Sequence, residues 1–391
     1  MLSSIPQRGF SKLEFEIRTQ KAQKMMFKEN IDAILLTTEP NVRYFSGFMT
    51  QFWQSPTRPW FLIVPREGEL IAVIPEIGRA GMESTWVNEI RSWASPCPKD
   101  DGITLLEKAL SEVPMRFGRI GMTLGQESQL RMPVNNFKLL AEKISPTEIV
   151  DIAINLHKLK KIKSESEIQK IEHICLITSA AFEKLPSHIS IGETQRQICT
   201  KLRQDILELG ADNSPYLIAG SGSGGYDNII MGPTESVLGV GHVLIIDTGS
   251  TFDGYFCDFD RNFAFGDLSD ETRKAYEMVY LATDVGIEAA RPGKTTSDVW
   301  KAMWSVLEEA GGMVNSVGRM GHGLGMELTE WPSVMPGDDT LLEPGMVITI
   351  EPGMSFALGK EMVHEENILI TEERARLLTR RAPAEMPIIL N

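Results

Sequence analysis

The sequence predicts an α+β fold with two domains, a smaller α/β domain over residues 1–157 and a larger domain over residues 158–391 in which helices cover curved antiparallel strands. The chain has 391 residues, which is long for a single domain. Its first half alternates helical segments with short apolar, β-branched runs. Its second half adds long helical segments to strands that end in Gly-containing turns, and this combination favours antiparallel pairing.

The first half supplies the elements of the smaller domain. Residues 13–30 have a helical pattern, and residues 31–36 form an apolar run typical of a buried strand. Residues 60–64 and 70–75 predict two further strands joined by a short turn. No glycine-rich phosphate-binding loop accompanies these strands, so this α/β layout does not indicate a nucleotide site.

The basic run KLKKIK, residues 158–163, marks the predicted start of the larger domain. Ser164 or Ser166 with the acids after it predicts a helix start, because a serine at such a position can cap the first free N–H groups. Trp300 and Trp304 lie four residues apart on one face of the last helix, where we expect them to pack in the core. Helices of the larger domain are predicted at residues 164–185, 193–209, 269–290 and 296–310.

Composition indicates a soluble protein. The net charge of −14 argues against nucleic acid or an anionic membrane as partner, because both need a basic surface. The four cysteines show no CxxC spacing, which favours a reducing compartment over a disulfide framework. The N-terminus lacks a signal-peptide core, and no apolar run approaches the length of a membrane span. We therefore expect a cytoplasmic protein.

Two aspartates flank a predicted hairpin near the middle of the chain. Residues 243–246 form an apolar, β-branched run, and Asp247 follows at the expected end of that strand. Asp253 and Gly254 suit a tight turn, and Asp258 lies on the returning strand. The two carboxylates can therefore lie side by side, where each would raise the pKa of the other unless a cation neutralised them.

Three later segments add potential metal ligands. His322 lies in the glycine-rich segment GHGLG, where small residues permit close approach to the backbone. Glu351 ends an apolar strand before a Pro-Gly turn, and Glu366 lies in the predicted strand 363–370. Four carboxylates with one imidazole suit a pair of Mn, Fe, Co or Zn ions rather than a thiolate-rich structural zinc site.

Taken in order, Asp247, Asp258, His322, Glu351 and Glu366 resemble the ligand set of the pita-bread-fold metallohydrolases. This family includes aminopeptidase P, prolidase and methionine aminopeptidase, with creatinase as a metal-free relative. The resemblance implies a pita-bread C-terminal domain preceded by a creatinase/prolidase-like N-terminal domain. It also implies two divalent metal ions, a homodimer, and a dipeptide or other small molecule as substrate.

The resemblance further implies a role for each matched residue. Asp258 and Glu366 would bridge both ions and Asp247 would hold one of them. His322 and Glu351 would hold the other. Glu351 would also take the proton from the attacking water, acting as a general base. Two divalent ions lower the pKa of water, which makes a hydroxide nucleophile available near neutral pH.

The sequence departs from peptidase members of the family at three places. The second histidine expected seven residues after His322 is replaced by Thr329. The segment 228–233 lacks the histidine expected upstream of the first metal aspartate. An arginine expected two residues before the last metal glutamate is replaced by His364, which either takes over a proton-transfer role or is structural. Since the two histidines usually contact the substrate, their loss indicates a changed substrate and slow cleavage of ordinary Xaa-Pro dipeptides.

An aromatic loop in the first half offers substrate contacts. Residues 51–60 contain Trp53, Arg58 and Trp60 together with two prolines. These side chains either anchor the loop on their own domain or close over a substrate from the same or a neighbouring subunit. In the second case an aromatic pocket would suit a cationic solute.

Three functions are therefore considered. The first is a metal-dependent hydrolase of the prolidase type that cuts a C–N bond in a dipeptide or small amide. The second keeps the metal pocket with another substrate, as in family members that hydrolyse ectoine, cleave dimethylsulfoniopropionate or hydrolyse creatine. The third is a non-enzymatic module, which the intact ligand set argues against.

Overall fold

The computed structural model describes residues 5–314 and 318–391. The chain divides into two compact units, one containing residues 7–160 and the other residues 161–391. The sequence-based boundary after residue 157 lies inside the helix Ala153–Lys160, three residues before the division observed here. No helix within the described ranges has the length and apolar character needed to cross a bilayer.

The N-terminal unit contains one mixed sheet with the strand order β4-β3-β2-β1-β5-β6. β2 runs antiparallel to its neighbours β1 and β3, and the other neighbouring strands pair in parallel. Its helices are α1 (Lys12–Glu29), α2 (Glu39–Ser46), α3 (Arg79–Glu83), α4 (Ile103–Ser111), α5 (Val134–Lys143) and α6 (Ala153–Lys160). Its strands are β1 (Ala33–Leu36), β2 (Phe61–Pro65), β3 (Ile71–Pro75), β4 (Glu89–Trp93), β5 (Arg119–Met122) and β6 (Glu148–Asp151).

One face of this sheet packs against α4 and α5. Alternate residues of β1, such as Ala33 and Leu35, share a buried apolar cluster with Leu106 and Leu140. α1 begins at a serine cap, because the Ser11 side chain accepts a hydrogen bond from the N–H of Glu14. The predicted helix and strands of this unit are therefore present, with the ends of α1 within one residue of the expected positions.

The helices of the C-terminal unit follow the predicted segments closely. Each of α7, α8, α9 and α10 starts at a serine or threonine whose side chain caps the first turn. The capping box at Ser164 and Glu167 confirms the predicted helix start after the basic run. These helices are α7 (Glu165–Lys184), α8 (Gln195–Glu208), α9 (Asp270–Ala289) and α10 (Thr296–Glu309).

The strands of the C-terminal unit form three sheets. The first has the order β19-β10-β8-β7, with β9 paired to β8; the second is β11-β15-β16; the third is β13-β12-β14-β17-β18. The strands are β7 (Asn213–Ser223), β8 (His242–Phe252), β9 (Tyr255–Phe256), β10 (Phe259–Phe265), β11 (Met313–Val314), β12 (His322–Gly323), β13 (Glu330–Ser333), β14 (Val347–Ile350), β15 (Gly353–Ala357), β16 (Lys360–Val363), β17 (Glu366–Ile370), β18 (Ala375–Leu377) and β19 (Ile388–Ile389).

The first sheet is organised around the hairpin of β8. Asp253 and Gly254 both have positive φ angles, 49° and 78°, as a tight hairpin turn with the right twist requires. β8 is longer than the sequence predicted, because it continues through Asp247 to Phe252. Asp247 therefore lies in the middle of a strand with neighbours on both sides, rather than at a strand end. Helices α7 and α8 contact this sheet.

The third sheet packs under α9 and α10. Ile348 and Ile350 of β14 and Ile368 of β17 share a buried apolar cluster with Val279 of α9 and Met303 of α10. Because side chains alternate along a strand, the residues between these isoleucines point away from the helices. We call the surface of the first and third sheets that carries Asp247 and Thr349 the inner surface.

Candidate metal centre

The first group of acids lies on neighbouring strands of the first sheet. Asp247 of β8 is directly opposite Asp260 of β10, and Thr248 is opposite Phe259. Side chains directly opposite each other share a face, so Asp247 and Asp260 point to the same side. Asp258, two residues before Asp260, lies just before β10 and is buried, with 5% of its surface exposed.

His322 is held so that one ring nitrogen faces these acids. Its backbone N–H donates to Thr349 Oγ1 at 3.0 Å, and its Nδ1 is 2.9 Å from the carbonyl oxygen of Gly323. Since that carbonyl can only accept, Nδ1 carries the hydrogen and Nε2 keeps its lone pair. Nε2 lies 3.4 Å from Asp258 Oδ2 and 3.8 Å from Glu351 Oε1. This tautomer is the one that a metal ligand needs.

The last acid of the inner surface is Glu365, and the prediction of Glu366 is corrected. Ile350 is directly opposite Glu366, and Ile350 belongs to the apolar cluster under the helices. Glu366 therefore points toward that side, and its neighbour Glu365 points to the inner surface. Carboxylate oxygens of Asp258 and Glu365 and a ring nitrogen of His322 lie within 4.8 Å of one another.

Glu366 is neutralised by arginines and has no need of a metal ion. Its Oε2 accepts from Arg261 Nη2 at 3.0 Å, and its Oε1 accepts from Arg381 Nη1 at 3.2 Å and from the N–H of Ala382 at 3.0 Å. The hydroxyl of Thr379 also donates to it. These donors satisfy both oxygens of a fully buried carboxylate.

The inner acids lack such partners. Asp247 Oδ1, Asp258 Oδ1 and Glu365 Oε1 are buried and accept no hydrogen bond from the described residues. Burial raises the pKa of Asp258 to about 8, although the charge of Arg319 opposes the shift. Burial and the neighbouring carboxylates also hold the pKa of Glu365 well above its usual range. Unpaired buried oxygens next to an imidazole fit a site for divalent cations.

The remaining ligand candidates belong to the same group. Burial, Asp258 and Glu351 raise the pKa of Asp247, and the Tyr216 hydroxyl lowers it by hydrogen bonding. Burial also raises the pKa of Glu351, and the nearby His322 opposes that shift. The Glu351 side chain is 21% exposed, against 7% for Asp258 and 4% for His322. Of the two acids near His322 Nε2, Glu351 is therefore the more open to water.

Asn367 fixes the position of Asp258 between the two sheets. Its Oδ1 accepts from the N–H of Asp258 at 3.0 Å, and its Nδ2 donates to the Asp258 carbonyl. Asn367 is opposite Thr349, whose Oγ1 accepts from His322. The β14–β17 pair therefore positions Asp258 and His322 together. Asn367 was not among the predicted site residues, although its place between two glutamates and an apolar strand segment marks it as a buried polar group.

His364 does not belong to the inner surface, so the predicted catalytic role is corrected. Its Nδ1 is 3.2 Å from Thr283 Oγ1 of α9, and its ring is 5.6 Å from that of Tyr280. Arg381 Nη1 donates to its Nε2 at 2.9 Å. Burial lowers the pKa of His364 well below its usual value, and the neighbouring arginines lower it further. His364 is therefore a neutral packing residue beside α9.

Two side chains near the inner acids were absent from the sequence analysis. Arg319 Nη2 donates to Thr329 Oγ1 at 3.5 Å, and its charge lowers the pKa of both Asp258 and Glu351. Tyr216 of β7 is opposite Gly249, on the Asp247 side of the first sheet. Arg319 is three residues before His322 in the sequence, and this proximity is the signal that could have identified it.

Gly249 leaves room for a side chain that crosses the inner surface. A Cβ at this position would lie 2.2 Å from Leu328 Cδ1 and 3.4 Å from Tyr216 Cβ. Any other residue would therefore displace Leu328, which directly precedes Thr329. Thr329, which replaces the expected second histidine, is half-buried in this loop, and its hydroxyl accepts a hydrogen bond from Arg319.

The aromatic loop of the N-terminal unit packs on its own domain. Trp60 is 1% exposed, and its ring is 6.0 Å from that of Trp53, which is 8% exposed. Arg131 lies over the Trp53 ring at 4.9 Å and donates to loop carbonyls. These contacts favour the alternative of an anchored loop, and substrate binding by Trp53 and Trp60 stays a prediction. Arg58 is half-buried over the Phe52 ring at 5.2 Å, and its substrate role stays a prediction.

Comparison with known proteins identifies the family. The model of metallopeptidase family M24 matches residues 169–372, which is more than half of the chain. The chain belongs to metallopeptidase family M24. The Creatinase/Prolidase N-terminal domain matches residues 18–160 of this M24 chain. These matches confirm the predicted family, the two-part fold and the assignment as a metal-dependent hydrolase. They imply divalent metal ions as cofactors.

Full-length relatives of the M24 chain include named dipeptidases. It is 29% identical over 374 residues to the Xaa-Pro dipeptidase of Pyrococcus furiosus, covering 93% of this chain and 97% of the relative. Prolidase from Thermococcus sibiricus has a similar structure, with a TM-score of 0.86 and 25% identity over 97% of this chain and all of that one. Dipeptidase PepE from Mycobacterium ulcerans has the same fold, with a TM-score of 0.84 and 24% identity over 98% and 100% of the two chains.

The correction from Glu366 to Glu365 predicts opposite results for two neighbouring variants. Glu365→Gln removes an inner carboxylate, so we expect metal affinity to fall at least about tenfold. Glu366→Gln leaves Arg261 and Arg381 without their carboxylate, so we expect a loss of about 3–5 kcal/mol in the free energy of unfolding. Metal content by elemental analysis and denaturant unfolding measure the two quantities. Loss of metal in Glu366→Gln with full retention in Glu365→Gln would restore the original assignment.

The raised pKa values predict how the stability of metal-free protein depends on pH. A carboxyl whose pKa is raised on folding stabilises the fold below its ordinary pKa of 3.8, and this contribution is lost as pH rises through about 8 for Asp258. We therefore expect the melting temperature of metal-free protein to fall between about pH 5 and pH 8. Divalent metal should reverse the fall, because it binds the ionised carboxylates.

The variant Asp258→Asn provides the control for this pH dependence. It cannot ionise at this position, so its melting temperature should fall less steeply over the same range. Differential scanning fluorimetry with a chelator and with added Mn²⁺ gives both slopes. Equal slopes in wild type and Asp258→Asn would contradict the raised pKa of Asp258.

Proposed function

We propose that this M24 chain is a metal-dependent hydrolase that cleaves a C–N bond in a dipeptide or a similarly small substrate, as an Xaa-Pro dipeptidase does. The observation that carries the proposal is the convergence of Asp258, His322 and Glu365, with buried unpaired carboxylate oxygens, in a chain of this family. The Xaa-Pro dipeptidase of Pyrococcus furiosus, matched over nearly its whole length, supports the substrate class.

The residues that would hold the ions are those of the inner surface. Asp247, Asp258 and Glu365 supply carboxylates, and His322 supplies Nε2. When bound there, two divalent ions would supply Lewis acidity and lower the pKa of water near neutral pH. Mn, Fe, Co and Zn all suit this mixture of oxygen and imidazole ligands.

Glu351 is the acid best placed to move a proton. Its side chain is more exposed than those of Asp258 and His322, so water and substrate can reach it. Its raised pKa brings it closer to the operating pH of a general base. We assign Glu351 both ligand and base roles, as the resemblance implies.

The side chains near His322 that could contact a substrate are not further histidines. Among the described residues, His322 is the histidine that contacts the inner acids, and the positions near it offer Arg319, Thr329 and Tyr216 instead of further imidazoles. Burial raises the pKa of Tyr216, as do the nearby carboxylates, so its hydroxyl remains a hydrogen-bond donor. A guanidinium and a phenol can polarise a carbonyl but cannot exchange protons near neutral pH as an imidazole does.

This difference favours a second candidate, a small solute in place of a dipeptide. The sequence pattern suggests ectoine, dimethylsulfoniopropionate or creatine as chemically related substrates. With Arg319 as the positive group beside Thr329, an anionic part of the substrate would have a partner outside the metal ligands. The two candidates share the metal site and differ in which compounds are turned over.

We expect metal-loaded enzyme to act slowly on ordinary Xaa-Pro dipeptides and faster on a compact solute. The reason is that proton delivery to the leaving nitrogen lacks a second histidine. A panel of Ala-Pro, Leu-Pro, ectoine, dimethylsulfoniopropionate and creatine, with product detection for each compound, measures the difference. The variant Thr329→His should raise dipeptide cleavage if this position faces the substrate. Rapid turnover of Ala-Pro or Leu-Pro by wild type would establish the plain dipeptidase.

The proposal also covers the number of metal ions, the oligomeric state and the location of the protein. We expect two ions for each chain, because four carboxylates offset the charge of two divalent cations. A homodimer is expected from the family resemblance, and light scattering that shows only a 43.6 kDa species would contradict it. A cytoplasmic location fits the cysteine pattern of the sequence.

A further inference from the structure

Asp260 is a buried acid on the inner surface that the five-residue ligand pattern does not include. It is 1% exposed and directly opposite Asp247 in the β8–β10 pair. It is also two residues from Asp258, so all three aspartates point to one side of the first sheet. Nothing in the apolar packing of a β-strand calls for a carboxylate at this position.

The hydrogen bonds of Asp260 do not account for its charge. Its side chain accepts one long bond, 3.4 Å from Asn262 Nδ2, and that amide also donates to the carbonyl of Val363 at 2.7 Å. No ion pair within 4.0 Å joins Asp260 to a cationic side chain in the described part of the chain. A fully buried carboxylate with one weak donor is unusual unless a cation completes it.

Arg261, the nearest cation in the sequence, is engaged on the opposite side. Its Nη1 donates to the backbone carbonyls of Asp260 at 2.6 Å and Glu365 at 3.0 Å. Its Nη2 donates to Glu366 at 3.0 Å and to the carbonyl of Arg380 at 2.6 Å. Because Arg261 alternates with Asp260 along β10, its guanidinium lies across the sheet from the Asp260 carboxylate.

We propose that Asp260 is a further carboxylate ligand of the metal centre, beside Asp247. This inference rests on the proposed metal-dependent function and adds a ligand that the family pattern in the sequence did not contain. The second, independent observation is the set of unpaired, buried oxygens on Asp247, Asp258 and Glu365. An extra carboxylate adds negative charge and an oxygen ligand, which favours harder cations such as Mn²⁺ over Zn²⁺.

The test is the isosteric variant Asp260→Asn, which keeps the shape and removes the charge. Metal-free wild type and variant are titrated with Mn²⁺ by calorimetry and with Co²⁺ by visible absorption. We expect the affinity of one site to fall at least about tenfold, and the Co²⁺ spectrum to change with the loss of a ligand. The metal-free variant should melt at the same temperature as metal-free wild type or higher, because a repelling buried carboxylate is gone.

The matched control is Asp253→Asn in the turn of the same hairpin. Asp253 is also buried, and it pairs with Lys170 at 3.0 Å, away from the inner surface. This variant should melt at a lower temperature and keep wild-type metal affinity and spectrum. A lowered melting temperature in Asp253→Asn but not in Asp260→Asn separates a structural carboxylate from a metal ligand.

Two results would overturn the inference. If wild type binds metal and Asp260→Asn binds it with the same affinity and the same Co²⁺ spectrum, Asp260 is no ligand and the proposed function stands. If wild type binds no divalent metal at all, the proposed function fails together with this inference. Should Asp260→Asn fail to fold, the smaller polar variant Asp260→Ser is titrated in its place, with the same expected loss of affinity.

Discussion

Mutual repulsion among buried carboxylates is the constraint on which the C-terminal unit depends. Asp247, Asp258 and Glu365 carry oxygens that no described donor satisfies, and burial raises the pKa of each acid. Such a group destabilises the fold unless protons or cations neutralise it. Holding these acids together therefore requires strong positioning by the surrounding backbone, and a cation that relieves the repulsion is bound tightly.

The fold supplies this positioning through polar contacts on both sides of the sheets. The Asn367 side chain accepts a hydrogen bond from the N–H of Asp258, and the Thr349 hydroxyl accepts one from the N–H of His322. On the opposite side, Arg261 ties the carbonyls of Asp260 and Glu365 together and pairs with Glu366. The arginines thus stabilise the scaffold, and we propose that the inner acids hold the metal ions. This separation of charges explains why adjacent glutamates have different roles.

Most of the architecture could be predicted from the sequence, but not which of two adjacent glutamates points to the inner surface. Helix starts were predicted well, because Ser164 and similar caps leave clear local signals. The metal pattern in the hairpin and at His322 could be predicted from spacing and residue type. Glu365 and Glu366 are both acids, however, and the single strand predicted from residue 363 to residue 370 concealed a break between β16 and β17. Which of the two faces inward depends on pairing with Ile350, a tertiary contact that no local pattern contains. The same limit applies to Trp60, since composition alone could not distinguish an anchored aromatic side chain from an exposed one.

The most direct test of this account is anomalous diffraction from crystals grown with Mn²⁺ or Co²⁺, recorded at the absorption edge of the metal. The account predicts two peaks on the inner surface, within coordination distance of Asp247, Asp258, His322, Glu351 and Glu365, with Glu366 still paired to Arg261. An absence of peaks at this position, or a peak coordinated by Glu366 on the far side of the sheet, would contradict it.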